Sequence, residues 1–444
     1  MVQPMKVTEP MRIAVIGMGY VGCVTATCLA RDGNEVIGVD VDRKKVDSIN
    51  ARVSPVFEPG LEELLKDQVD AGRLRATSDI AAAVADSDVA LVAVGTPSAD
   101  DGSVDYRTVG KVIEQLGRCL RDSDRSYTII VRSTLLPGVL EEVLEPALTE
   151  AAGCEIGDRI QFCNNPEFLR ETTAIADYDQ PPFVLVGASH EAGGQTALEL
   201  YRDLDCEKIV TTTRIAAMVK YTSNAYHALK IAFANEIGAL AKTLGADGQK
   251  VMEIVCQDTQ LNVSKAYLRP GFAFGGSCLP KDVRALVRYA AQQGEECEVM
   301  QGILPSNQTH LQRALRLIRA SGKRRIALIG LSFKAGTDDL RESPQVILAQ
   351  TLLGEGYELM IFDPDVRVTA LVGSNLHYID EKLPHLARLL CDNPQQILAD
   401  AEMLVIATGA IKRLQGVEQF NGEVIDLRKD LVVAELQSAE PAMG

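Results

Sequence analysis

Met11-Arg12-Ile13-Ala14-Val15-Ile16-Gly17-Met18-Gly19-Tyr20-Val21-Gly22 decides the fold of this 444-residue chain. Its first half is a short apolar run, the kind that fills a strand buried on both faces. Its second half is G-x-G-x-x-G. A helical stretch then runs to about Gly33, and a second apolar run, Glu35-Val36-Ile37-Gly38-Val39, ends in Asp40. Strand, glycine turn, helix, strand and acid in that order form a dinucleotide fingerprint. Gly17 makes the tight turn, Gly19 lets a pyrophosphate approach the helix N-terminus, and Gly22 lets helix and strand pack closely. Asp40 is placed to take the adenosine ribose hydroxyls and would repel a 2′-phosphate, so the expected cofactor is NAD rather than NADP. Lys45, a few residues on, works against that preference. The alternative is a glycine-rich turn in an unrelated α/β protein.

Outward from this turn, strands are expected at Val89-Ala90-Leu91-Val92-Ala93-Val94 and Tyr127-Thr128-Ile129-Ile130-Val131. They end in Gly95-Thr96-Pro97 and Arg132-Ser133-Thr134. Thr96 and Thr134 therefore stand where open parallel sheets gather ligands, unless they merely cap the next helix. Thr213 to about Leu244 has little glycine and no proline and reads as one long helix, with Lys220, Asn224 and His227 on one face. Such a stripe suits an oxyanion and sugar hydroxyls, although single residues of these types are more often structural or exposed. A helix of this length suggests a link between domains and a dimer contact. Around Arg324–Asp363 the pattern of strand, glycine, helix, strand and acid returns without the glycine triad, and its longer first loop holds Lys334, a phosphate contact, and Arg341. The expected class is α/β: two Rossmann-like doubly wound domains joined by a long central helix and a helical middle region. The expected divisions are a loose extension at 1–10, a dinucleotide domain at 11–210, a central helical region at 211–300 and a second nucleotide-binding domain at 301–444.

A chain of this length exceeds one ordinary core. Its net charge of -16 disfavours nucleic acid or an anionic membrane as the main partner. The N-terminus lacks an apolar core of signal-peptide length, and no run of about 18 apolar residues occurs. The ten cysteines show no paired zinc spacing and no dense framework, so a reduced cytoplasmic setting with no metal site is expected.

The chemistry concentrates in Phe274-Gly275-Gly276-Ser277-Cys278-Leu279-Pro280-Lys281-Asp282. Pro280 suits the first turn of a helix continuing through Asp282. Cys278 then precedes a helix N-terminus, where the dipole and Lys281 favour thiolate; the bland alternative is one more small core cysteine. In Asn165-Pro166-Glu167-Phe168-Leu169-Arg170-Glu171, the two glutamates would share a face if the segment turned helical, making a proton-handling or water-positioning pair rather than two solvated acids. Arg269, in Tyr267-Leu268-Arg269-Pro270-Gly271-Phe272, reads as a bidentate phosphate ligand or a solvated loop arginine.

GMGYVG, VGTP, RSTLLPG, NPEFLRE, Lys220-x-x-x-Asn224, FGGSCLPKD and FKAGTDDLRESP occur in the order in which they occur in the nucleotide-sugar 6-dehydrogenases, and the chain resembles that family from about Met11 to about Leu427. The resemblance implies a four-electron oxidation of a sugar primary alcohol to a carboxylate with two NAD in succession. Cys278 would carry a thiohemiacetal and then a thioester. Lys220 and Asn224 would stabilise oxyanions, Asp282 would assist deprotonation, and Glu167 with Thr134 would hold the hydrolytic water. The family pattern also places Tyr20, Val21, Asp40, Lys45, Thr96, Thr134, Lys281 and Arg341 near NAD. It places Glu171, Lys220, Asn224, His227, Asn235, Tyr267, Arg269, Phe272 and Lys334 near the nucleotide sugar. RPGFAFGGSCLPKDVRAL and Tyr226-His227-Ala228-Leu229-Lys230 are similar to the branch that acts on GDP-mannose, in which a homodimer shares the Tyr267–Phe272 segment between subunits. Ala266 departs from that branch, which often has an aromatic there. The alternatives are a UDP-glucose or UDP-N-acetylmannosamine enzyme, an NAD-binding regulator, and a two-electron hydroxyacid dehydrogenase, which leaves Cys278 without a role.

Overall fold

The computed structural model describes residues 10–97, 103–264, 271–276, 279–333, 338–367, 371 and 373–428. The chain divides into two compact units, Met1–His227 and Ala228–Gly444. The first is built on eight strands: β1 (Arg12–Ile16), β2 (Glu35–Val39), β3 (Leu74–Thr77), β4 (Val89–Val92), β5 (Tyr127–Val131), β6 (Ile160–Asn164), β7 (Phe183–Ala188) and β8 (Glu207–Thr211). Their order across the sheet is β3-β2-β1-β4-β5-β6-β7-β8. The central strands are apolar along nearly their whole length because helices cover both faces, and each face carries its own core cluster. Ile13 and Val15 serve one cluster, Ala14 and Ile16 the other.

The strands expected from sequence are present, with the fourth ending at Val92. β3, β7 and β8 were not foreseen. The four residues of β3 alternate between buried and open positions and are too few for a periodicity to be read. All neighbouring strands run parallel except β6 and β7, which meet antiparallel through Cys163↔Ala188 and Asn164↔Gly187. This reversal seats the long helix Thr213–Thr243. A Cβ on Gly187 would collide with Asn164 Oδ1 and stand 2.6 Å from Thr213 Cα, so the start of the helix rests directly on the strand. Asn164 Nδ2 also donates to the Thr213 carbonyl at 3.3 Å. The first turns of this helix pack on the sheet, and the division between the two compact units falls at His227, inside the helix.

The second unit holds a parallel sheet ordered β10-β9-β11-β12: β9 (Arg325–Ile329), β10 (Glu358–Phe362), β11 (Met403–Ile406) and β12 (Glu423–Asp426). Both sheets use one device at the turn after their first strand. In the first, Gly17 N donates to Val39 O at 2.7 Å and Met18 N donates to Asp40 Oδ2 at 2.8 Å. In the second, Gly330 N donates to Phe362 O at 2.8 Å and Leu331 N to Asp363 Oδ2 at 2.7 Å. Asp363 is also bonded by Ser332 N, Ser332 Oγ and, on its other oxygen, Asp365 N. A helical layer, Leu279–Gln293 and Glu298–Ala320, precedes this sheet; Glu236 accepts from Val299 N and Met300 N and so caps the second of these helices.

Gly22 is the tightest point of the first turn, where an added Cβ would collide with the Gly17 carbonyl oxygen. Gly22→Ala is therefore expected to cost about 1–3 kcal/mol, seen as a fall of roughly 3–10 °C in the thermal midpoint. An unchanged midpoint would show that the turn has slack.

Candidate active site

The dinucleotide turn fits the cofactor it was expected to hold. Gly17 sits at φ +100, and a Cβ on Gly19 would meet nothing within 4 Å, so the backbone is open to an incoming group. The Tyr20–Arg31 helix has no side-chain cap, leaving its first amides for a phosphate. Val21, in its first turn, is half-buried. Asp40 is buried at the carboxyl end of β2, where its oxygens accept from Met18 N, from Asp42 N at 2.9 Å and from Lys45 Nζ at 3.1 Å. Lys45 thus partly neutralises the Asp40 carboxylate. Thr96 donates to the Thr134 carbonyl at 3.3 Å and so ties the ends of β4 and β5 together. Tyr20 turns its hydroxyl to Glu58, and burial followed by that hydrogen bond pushes the phenol up to about 12.

Residues 165–173 form a loop, not a helix, so Glu167 and Glu171 share no helical face. Asn165 and Pro166 are buried and anchor the loop, and they direct Glu167 at the long helix while Glu171 stays exposed. Glu167 Oε1 accepts from Lys220 Nζ at 3.0 Å, the two side chains keeping 14% and 9% of their exposure, and its other oxygen accepts from Leu169 N at 2.7 Å. The ammonium also lies 5.4 Å from the centroid of the Phe168 ring. Lys220, Asn224 and His227 line one cavity of about 450 Å³, as their spacing on the helix requires. An ammonium with donors to spare, an amide and an imidazole on one wall can hold an alkoxide or a hydroxyl-rich ligand.

The reading from sequence missed what holds this wall. Arg132 is buried at the carboxyl end of β5, where Nη1 donates to Asn165 Oδ1 at 2.6 Å and to Tyr201 OH at 2.8 Å, while Tyr201 OH donates to the same Asn165 oxygen at 2.7 Å. Arg132 and Asn165 follow strands in the sequence and gave a signal of position; Tyr201 lies 69 residues from Arg132 and gave none.

In the second unit, Asn307 grips the loop before Cys278: its Oδ1 accepts from Phe274 N at 2.9 Å and its Nδ2 donates to Phe274 O at 2.8 Å. His310 Nε2 donates to the Gly271 carbonyl at 2.6 Å. Phe272 packs against the core of the second sheet. The Leu279–Gln293 helix begins directly after Cys278, with Pro280 in its first turn as expected. Lys281 and Asp282 are largely exposed and pair with each other at 3.3 Å. Arg341 pairs with Asp339 at 2.8 Å, and Asn235 is exposed. Cys278, Tyr267, Arg269, Ala266 and Lys334 lie outside the described residues.

Residues 11–205 match the NAD binding domain of the UDP-glucose/GDP-mannose dehydrogenase family, 214–309 its central domain and 327–428 its UDP binding domain. A GDP-mannose 6-dehydrogenase of Pseudomonas putida is 49% identical over 396 residues, covering 89% of this chain and 90% of that one. A UDP-glucose 6-dehydrogenase of Pseudomonas aeruginosa is 37% identical over 407 residues, covering 90% and 87%. The solved structure of a ternary complex of GDP-mannose dehydrogenase from Pseudomonas aeruginosa superposes with a TM-score of 0.90 at 45% identity, covering 94% of this chain and 96% of that one.

The described cysteines range from buried to exposed. Burial pushes the thiols of Cys23, Cys28 and Cys163 up to about 12, whereas Cys256 is exposed. Iodoacetamide at pH 8 is therefore expected to alkylate Cys256 in the native protein and to leave Cys23, Cys28 and Cys163 unmodified, with peptide mass spectrometry as the measurement. Early labelling of any of those three would contradict the packing around the first sheet.

Proposed function

The chain belongs to the UDP-glucose/GDP-mannose dehydrogenase family, and from that membership we propose that it oxidises C6 of GDP-mannose to the carboxylate with NAD. NAD, when bound, is the hydride acceptor, and Gly17, Gly19, Tyr20, Val21, Gly22, Asp40, Lys45, Thr96 and Thr134 are the residues proposed to hold it, with Lys281 and Arg341. Cys278 adds as thiolate to the aldehyde, is acylated in the second oxidation, and leaves when water attacks the thioester carbonyl. Lys220 and Asn224 donate to the oxygen that becomes negative at each addition. Asp282 takes protons, and Glu167 with Thr134 orients the water.

The observation that carries this reading is the cavity where Lys220, Asn224 and His227 meet, with Glu167 bonded to the lysine. A buried ion pair of this kind leaves each partner dependent on the other. An ammonium held in one orientation suits an oxyanion that forms at one point in space. Glu171, His227, Asn235, Tyr267, Arg269, Phe272 and Lys334 are proposed to surround the nucleotide and sugar. The division into a dinucleotide domain at 11–210, a central region at 211–300 and a nucleotide-sugar domain at 301–444 belongs to the same proposal. So does a cytoplasmic homodimer or larger homo-oligomer in which the Tyr267–Phe272 segment serves a neighbouring subunit. The exposed Ile215, Met218 and Leu229 on the long helix favour such an assembly.

Purified protein is expected to form two NADH per GDP-mannose, with much less turnover of UDP-glucose or UDP-N-acetylmannosamine. Clear preference for a UDP sugar would overturn the substrate, and one NADH per sugar would restore the two-electron alternative. Cys278→Ala should abolish NADH formation, and Lys220→Met should lower kcat by about 10²–10³. Undiminished turnover in either variant removes that residue from the mechanism.

A further inference from the structure

Between Arg52 and Gly60 the usual polarity is inverted: Phe57 is 84% exposed while Glu58 is only 6% exposed. Burying a carboxylate is costly unless donors replace its water. Glu58 forms no ion pair among the described residues; its compensation is three hydrogen bonds. Tyr20 OH and Thr172 N, at 2.8 Å, donate to one oxygen, and Ala174 N donates to the other at 2.8 Å. Tyr20 OH in turn accepts from Thr172 N at 3.1 Å.

These donors come from two places that matter to the reaction. Tyr20 is the first residue of the helix whose N-terminus faces the pyrophosphate position. Thr172 lies near the end of the loop that carries Glu167 and Glu171, and it is held at φ 72, a backbone conformation that a β-branched residue rarely adopts. Ala174 opens the Ala174–Asp179 helix, whose far end is tied to the same dinucleotide helix by Arg31–Asp179 at 2.6 Å and by Tyr178 OH donating to Asp32 at 3.1 Å. One carboxylate therefore joins the start of the cofactor helix to the end of the Glu167 loop. Moving either one breaks bonds that order the other.

We propose that Glu58 is a positioning residue that couples the dinucleotide turn to the nucleotide-sugar loop, so that each ligand binds more tightly when the other is present. The proposal rests on the assignment of Glu167 and Glu171 to the sugar site. The coupling is reciprocal: the factor by which the sugar tightens NADH equals the factor by which NADH tightens the sugar.

The test is calorimetric titration of the intact protein with NADH, alone and with saturating GDP-mannose; the reduced cofactor prevents turnover. The unmodified chain is expected to bind NADH at least about 5-fold more tightly when GDP-mannose is present. Glu58→Gln places an amide NH2 where a donor now points, and Glu58→Asp keeps the charge but draws the carboxylate back by one methylene from the donors of Tyr20, Thr172 and Ala174. In both variants the ratio should fall close to one while NADH alone still binds. A structural brace would instead weaken both titrations alike and leave the ratio intact, which would overturn the proposal. If Glu58→Gln melts at the assay temperature, the ratio in Glu58→Asp decides. GDP-mannose binding with a ratio of one in the unmodified chain sinks the coupling alone, whereas no heat from GDP-mannose sinks the functional reading and the coupling with it.

Discussion

A Cβ at Gly187 would collide with Asn164 Oδ1 and crowd Thr213 Cα at 2.6 Å, so the long helix starts in direct backbone contact with the sheet. That contact follows from the antiparallel meeting of β6 and β7, which brings Gly187 opposite Asn164. The placement of Lys220 follows in turn. Two helical turns beyond Thr213, the lysine meets Glu167, which the loop after β6 delivers. A larger residue at 187 would lift the helix and leave both charges without partners.

The lysine and glutamate make sense only together. Either charge buried alone would cost several kcal/mol, and the pair recovers that cost through its hydrogen bond and its attraction. A hydrophobic pair would serve stability at least as well. The charged pair is instead suited to presenting an ammonium in a fixed direction next to Asn224 and His227. The network of Arg132, Asn165 and Tyr201 does for the loop what the glycine contact does for the helix.

Much of this was legible in the sequence because it is local. The glycine turn, the acid at the end of β2, the apolar runs of the central strands and the stripe of Lys220, Asn224 and His227 are set by neighbours within about one helical or strand period. What escaped depends on distant partners. Glu167 looked like half of an i, i+4 pair with Glu171, yet its partner lies 53 residues away. The reversal at β7 leaves no periodic trace, and nothing within one period of Glu58 marks it as the buried residue of the pair with the exposed Phe57. Cys278 stood out for its chemical surroundings rather than for any pattern of burial.

The matching turns at Asp40 and Asp363 differ in the donors that hold the acid. A carboxylate offers about four lone-pair directions. Asp363 Oδ2 receives Leu331 N, Ser332 N and Ser332 Oγ, and its Oδ1 receives Asp365 N. Asp40 Oδ2 receives Met18 N and Lys45 Nζ, and its Oδ1 receives Asp42 N. The second sheet keeps the shape of a dinucleotide fold, yet the match to an NAD binding domain covers residues 11–205 and the stretch around this sheet matches a UDP binding domain. Two oxidations on one sugar would then share a single cofactor berth in turn. The half-oxidised sugar must therefore stay in place longer than one cofactor takes to leave and the next to arrive, so the residence time of the covalent intermediate becomes a design requirement of the enzyme.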